Sequence, residues 1–119
     1  MKTLIKVLEQ IDFSNLNIDE LLDNRELAVF DTEWIRVYNA VESLKNAANY
    51  SEMESENNAK LREQVFRMIY EFTNDSDLAG YVSDDFGLIS DARLLEYSDF
   101  WLDKMVAYYE KGSIPCGSL

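Results

Sequence analysis

The chain has 119 residues, enough for one domain with a sizeable core, and its 47% hydrophobic and 13% aromatic content is that of a globular protein rather than a disordered one. With 23 Asp+Glu against 11 Lys+Arg, no histidine and a formal charge of -12, it is built against gripping a phosphate backbone or an anionic lipid surface. Four glycines and one proline are too few for a turn-dense β-sandwich.

The apolar residues recur at helical spacing throughout. Leu4, Ile5, Leu8 and Ile11 predict a short first helix. Asp12 to Asn17 reads as a connector, and Ile18 to Asn24 as a second short helix. Asp31 to Ala48 is a longer helix, with Asp31 as N-cap and Trp34, Val37, Tyr38, Val41, Leu44 and Ala48 on the core face. The polar, acidic stretch Asn49 to Asn58 reads as a loop, and the next helix runs from Ala59 to Thr73. Asn74, Asp75, Ser76 and Asp77 favour caps and turns and end it.

Leu78 to Glu96 admits two readings. A continuous helix places Asp85 in the middle of its apolar face, where an unpaired carboxylate is costly. Either the helix restarts, with Ser83 as N-cap and Asp84 and Asp85 in the first turn, or Asp85 pairs with a base such as Arg93 or Arg62. The restart is the preferred expectation. Ser98 then caps a last helix from Asp99 to Lys111, Gly112 supplies the C-terminal turn and Pro115 stops it, leaving an irregular tail from Ile114 to Leu119. The fold class expected is all-α, a single-domain irregular bundle of five to seven helices over residues 1–119.

Catalytic chemistry finds little support. Histidine, the commonest general base, is absent, and Cys116 stands in the tail between Pro115 and Gly117 with no activating neighbour. The last four residues match a prenylation box in form only, since Gly117 and Ser118 stand where aliphatic residues belong. Asp75, Asp77 and Gly80 resemble the start of a calcium loop, but Phe86 stands at its twelfth position, where an acid is required. No catalytic residue, metal site or cofactor is assigned. One cysteine cannot form an internal disulfide, no apolar run could span a bilayer, and Met1 to Ile11 lacks the features of a signal peptide, so a cytoplasmic protein is expected.

The charge is unevenly placed. From Glu71 to Asp103 there are nine acids and one base, Arg93, interleaved with Phe72, Tyr81, Phe86, Tyr97, Phe100 and Trp101. The last helix also carries more aromatic surface than one core face absorbs, so one or two of Phe100, Trp101, Tyr108 and Tyr109 are expected outside. Acid beside exposed aromatics suits a basic protein partner. The docking residues expected are Asp75, Asp77, Tyr81, Asp84, Asp85, Asp91, Glu96, Asp99 and Asp103.

In size, charge and helical content the chain resembles the small acidic immunity proteins of bacterial toxin–immunity pairs. That resemblance implies tight binding to a toxin, best matched by a nuclease whose basic active-site cleft would be occluded. The competing classes are an acidic DNA-mimic inhibitor, a regulatory or adaptor domain, and a small metal-dependent enzyme. Direct contact with nucleic acid or membrane is not expected, and the sequence is silent on oligomeric state.

Overall fold

Caps chosen by the sequence set most of the helix boundaries in the computed structural model, which describes residues 1–119. The order is α1 (Lys2–Leu8), a 3-10 turn (Phe13–Asn15), α2 (Ile18–Arg25), α3 (Ala28–Ala47), α4 (Glu52–Thr73), α5 (Ser76–Leu94) and α6 (Phe100–Glu110). The bundle is all-α, as expected, with six α-helices and no strand. The Asn17 side chain accepts from Glu20 N, Ser51 from Glu54 N, Asp75 from Leu78 N and Asp99 from Leu102 N, each satisfying a first-turn donor that the helix itself cannot.

Four boundaries differ from the sequence reading. The stretch Asn49 to Asn58 is not a loop. Asn49 (φ 54°) ends α3, and α4 begins three residues later at Glu52. Its acids Glu52 and Glu54 suit the positive end of the helix dipole, and polar residues on an exposed first turn do not oppose a helix. Asp31 is not an N-cap, because α3 starts at Ala28 behind Leu27 and Asp31 falls one turn inside. The cap of α6 is Asp99 rather than Ser98. The restart at Ser83 does not occur: α5 is continuous, and the Ser83 hydroxyl donates to Gly80 O at 2.9 Å within the same helix.

Helix α5 is central, with buried residues around its whole circumference. Leu78, Val82, Phe86 and Ile89 are all enclosed, and burying each such side chain stabilises the fold by about 1.5–3 kcal/mol. It packs antiparallel on α4 across a turn made by Asn74, held left-handed at φ 56°, and Asp75. The two helices meet at Gly87, where a β-carbon would lie 2.6 Å from Arg62 Cδ. There Asn58 Nδ2 donates to Gly87 O at 2.9 Å. The remaining helices complete the core with Leu8, Phe30, Val37, Val41, Met105 and Tyr109. Gly112 (φ 82°) closes α6 as expected. The tail after it is irregular but anchored: Ile114 and Pro115 are buried, and Gly117 N donates to Asn24 O.

Candidate functional site

Asp85 lies at the centre of the molecule and is fully buried. Its partner is neither Arg93 nor Arg62 but Arg25, at the end of α2. Arg25 donates through its two terminal nitrogens to the two carboxylate oxygens at 2.6 and 2.8 Å. Trp34 Nε1 adds a third bond at 2.9 Å and the Tyr109 hydroxyl a fourth at 2.6 Å. Arg25 also donates to Pro115 O, and its guanidinium lies 4.2 Å from the Phe30 ring centroid and 5.0 Å from that of Tyr81. Burial alone would lower the Arg25 pKa, but the Asp85 charge and hydrogen bonds outweigh it and hold the group protonated. Burial and the same carboxylate push the Tyr109 hydroxyl well above its ordinary pKa, so it stays a donor. One group is left over: Arg25 Nε is buried without an acceptor. This network ties α2, α3, α5, α6 and the tail together and sets the position of Trp34.

Trp34 stands at the lip of a groove between α3 and α5. At about 100° per residue, Asp31, Trp34, Ile35, Tyr38, Glu42 and Lys45 fall within one arc of α3, and Asp77, Tyr81, Asp84, Leu88 and Asp91 within one arc of α5. The Trp34 and Tyr38 rings stack, 5.4 Å apart and 15° from parallel. Ile35 and Tyr38 are 46% and 42% exposed, and with Trp34 they form a contiguous apolar stretch along the groove. Two hollows open on either side of Trp34 and Asp84. One, of about 150 Å³, reaches Tyr38, Lys45, Arg62 and Asp91; the other, of about 210 Å³, reaches Arg25, Phe30, Asp31, Ile35 and Tyr81.

The structure divides the expected docking residues by role. Asp85 is inside and cannot meet a partner from there. Asp91 is also buried, within the groove wall, where its carboxylate pairs with Lys45 at 2.8 Å and accepts from the Tyr50 hydroxyl at 2.6 Å. Burial and that bond push the Tyr50 pKa up to about 12. Asp75 and Asp99 are N-caps, and Asp99 also pairs with Arg36 of α3 at 2.8 Å, which holds its carboxyl below the usual range. Asp77 and Asp84 are exposed and make no ion pair, and Tyr81 between them is half-buried, its hydroxyl donating to Glu26 at 3.1 Å. Glu96 is exposed at φ 56° in the turn after α5. Asp103 sits on another face, beside Ile89, Ala92 and Arg93, nearly opposite Asp84 around α5. Tyr81, Asp84 and Asp91 therefore line the groove and Asp77 continues their stripe along α5, while Glu96, Asp99 and Asp103 lie elsewhere.

The α3 half of the groove was missed in the sequence. Trp34 and Tyr38 repeat in register with Val37 and Val41 and so read as core. The signal that marks the groove is Ile35, an apolar residue outside that register. On α6, Phe100 is the exposed aromatic, at 77%, while Trp101 and Tyr109 are buried. No helix is long and apolar enough to cross a membrane.

Comparison with known proteins bears on what such a groove is for. A family model described as Immunity protein PIM1 matches residues 2–116. No curated protein matches the chain. The chain belongs to the PIM1 immunity protein family.

Proposed function

We propose that this immunity protein neutralises its cognate toxin by seating the α3–α5 groove on a basic face of the toxin, and that the face is the substrate cleft of a nuclease. The observation that carries this is the coincidence, in one groove, of exposed apolar and aromatic side chains with carboxylates that have no partner in the chain. Ile35, Tyr38 and the edge of Trp34 supply the desolvated centre that an interface needs; Asp31 and Asp84, with Asp77 further along the same stripe of α5, supply a charged rim. A cleft that grips phosphates presents lysines and arginines, which such a rim attracts at long range and pairs with on contact. Inhibition is by occlusion and requires no chemistry of this chain.

The test is binding of the purified toxin to wild type and to Ile35→Ala/Tyr38→Ala, at low and moderate salt. Both side chains are exposed, so the variant keeps its fold. We expect roughly a hundredfold weaker binding from loss of two central contacts, and an association rate for wild type that falls as salt rises. Unchanged affinity in the double variant rejects the groove as the docking face.

A further inference from the structure

The larger hollow has the chemistry of a side-chain pocket. Its walls are Phe30, Trp34, Ile35 and Tyr81, and the carboxylates of Asp31 and Asp84 face it. Neither carboxylate has a hydrogen-bond or ion-pair partner in the chain. Arg25 reaches the same hollow, but Asp85 already neutralises it, so Asp31 and Asp84 leave the space with an excess of negative charge. The Arg25 guanidinium already covers Phe30 and lies beside Tyr81, so the ring left to meet an incoming group is that of Trp34. Arg25 is also 4% exposed and keeps one donor, Nε, without an acceptor.

We infer that this hollow is the anchor pocket of the docking groove and takes a single arginine side chain of the partner protein. The inference rests on the docking reading above. Arginine fits better than lysine because its flat guanidinium stacks on ring faces and carries donors on several edges, enough to serve two carboxylates from two helices. Lysine offers a compact, strongly hydrated charge that does neither as well.

The probe is N-acetyl-arginine amide, titrated at low salt into the whole protein and followed by NMR at the Trp34 indole N–H. That proton is bonded to Asp85 and so reports on the hollow's inner wall. We expect a saturable shift with roughly millimolar affinity, several-fold weaker binding of N-acetyl-lysine amide, and about tenfold weaker binding of the arginine probe to Asp31→Asn/Asp84→Asn. Both positions are exposed, and a cooperative melt at or above the wild-type midpoint verifies the fold of the double variant. A shift that does not saturate, equal response to the lysine probe, or an affinity untouched by the double variant overturns the anchor pocket. Tyr38 lies outside this hollow, so Tyr38→Ala separates the two claims. If Tyr38→Ala weakens toxin binding while the arginine probe finds no site, docking stands and the anchor fails. If the probe binds at Trp34 but toxin binding ignores Tyr38→Ala and the double aspartate variant alike, the docking reading and the anchor drawn from it fail together.

Discussion

Replacing Asp85 by asparagine keeps the shape of the side chain and removes its charge, at a site with no access to water. The asparagine oxygen can still accept from Trp34 or Arg25, and the Tyr109 hydroxyl can turn to accept from the new amide. What cannot be repaired is Arg25. It is 4% exposed, its only ion-pair partner is Asp85, and its Nε already lacks an acceptor. Removing one partner of a buried pair typically costs about 3–5 kcal/mol. For a chain of this length, total stability at about 0.05–0.15 kcal/mol per residue comes to roughly 6–18 kcal/mol. The variant thus loses a substantial share of what holds the bundle, and its melting temperature should fall by about 10–20 °C.

The assay is a denaturant melt read by far-ultraviolet circular dichroism, paired with a thermal scan. A fall in midpoint without a change in slope marks loss of stability rather than loss of compactness. A second variant, Arg25→Met/Asp85→Asn, removes both charges while keeping an acceptor for Trp34 and Tyr109, and should recover much of the loss because no buried charge is left unpaired. If Asp85→Asn melts within about 3 °C of wild type, or if the double variant is less stable than the single one, the buried pair does not do what its geometry implies.

Three further outcomes follow from the structure. Asp99→Ala should cost about 1–2 kcal/mol by removing both the α6 cap and the Arg36 pair, whereas Asp99→Asn, which keeps a capping oxygen, should cost less than about 1 kcal/mol; equal losses in urea melts would contradict the cap. Gly80 lies inside α5 with open space at its α-carbon, so Gly80→Ala should gain about 0.5–1 kcal/mol, and a destabilised variant would show that the site is crowded. Partial desolvation, and then the Asp85 charge, raise the Asp84 pKa above its unfolded value. Ionising Asp84 therefore costs stability, a cost present above its folded pKa and relieved as pH falls through it. Asp84→Asn should be more stable than wild type at pH 7, with the difference closing in acid; a gap that widens in acid has the wrong sign.

The helices were legible because their apolar spacing and caps are local. Asp75 and Gly112 lie in the stretches read as a cap and a C-terminal turn, whereas the cap Ser51 falls inside an expected loop and the cap Asp99 one residue after the expected Ser98. Asp85 was legible only as a problem. A buried acid on an apolar face demands either a break in the helix or a base, and the base lies 60 positions away in α2, beyond any local pattern. The same distance hid the groove. Its two walls are stripes on α3 and α5, and neither stripe alone distinguishes a core edge from a docking surface.

The acid-rich window from Glu71 to Asp103 has a simpler account in space than in sequence. Three of its acids, Asp85, Asp91 and Asp99, are met by Arg25, Lys45 and Arg36, all from α2 and α3 outside the window. Only the Arg25 pair is fully internal; Lys45 keeps some exposure and Arg36 stays at the surface, but each base is committed to an acid of the window. At the groove Asp31 and Asp84 stay without an ion pair, and Arg62, bonded to Asn58 rather than to an acid, is the base beside them. Asp84 and Asp85 show the division most sharply. Adjacent on α5, they point about 100° apart, so one closes the core with Arg25 and the other faces the groove. A change at Asp85 should therefore be read first in a melting curve, and one at Asp84 first in an association rate.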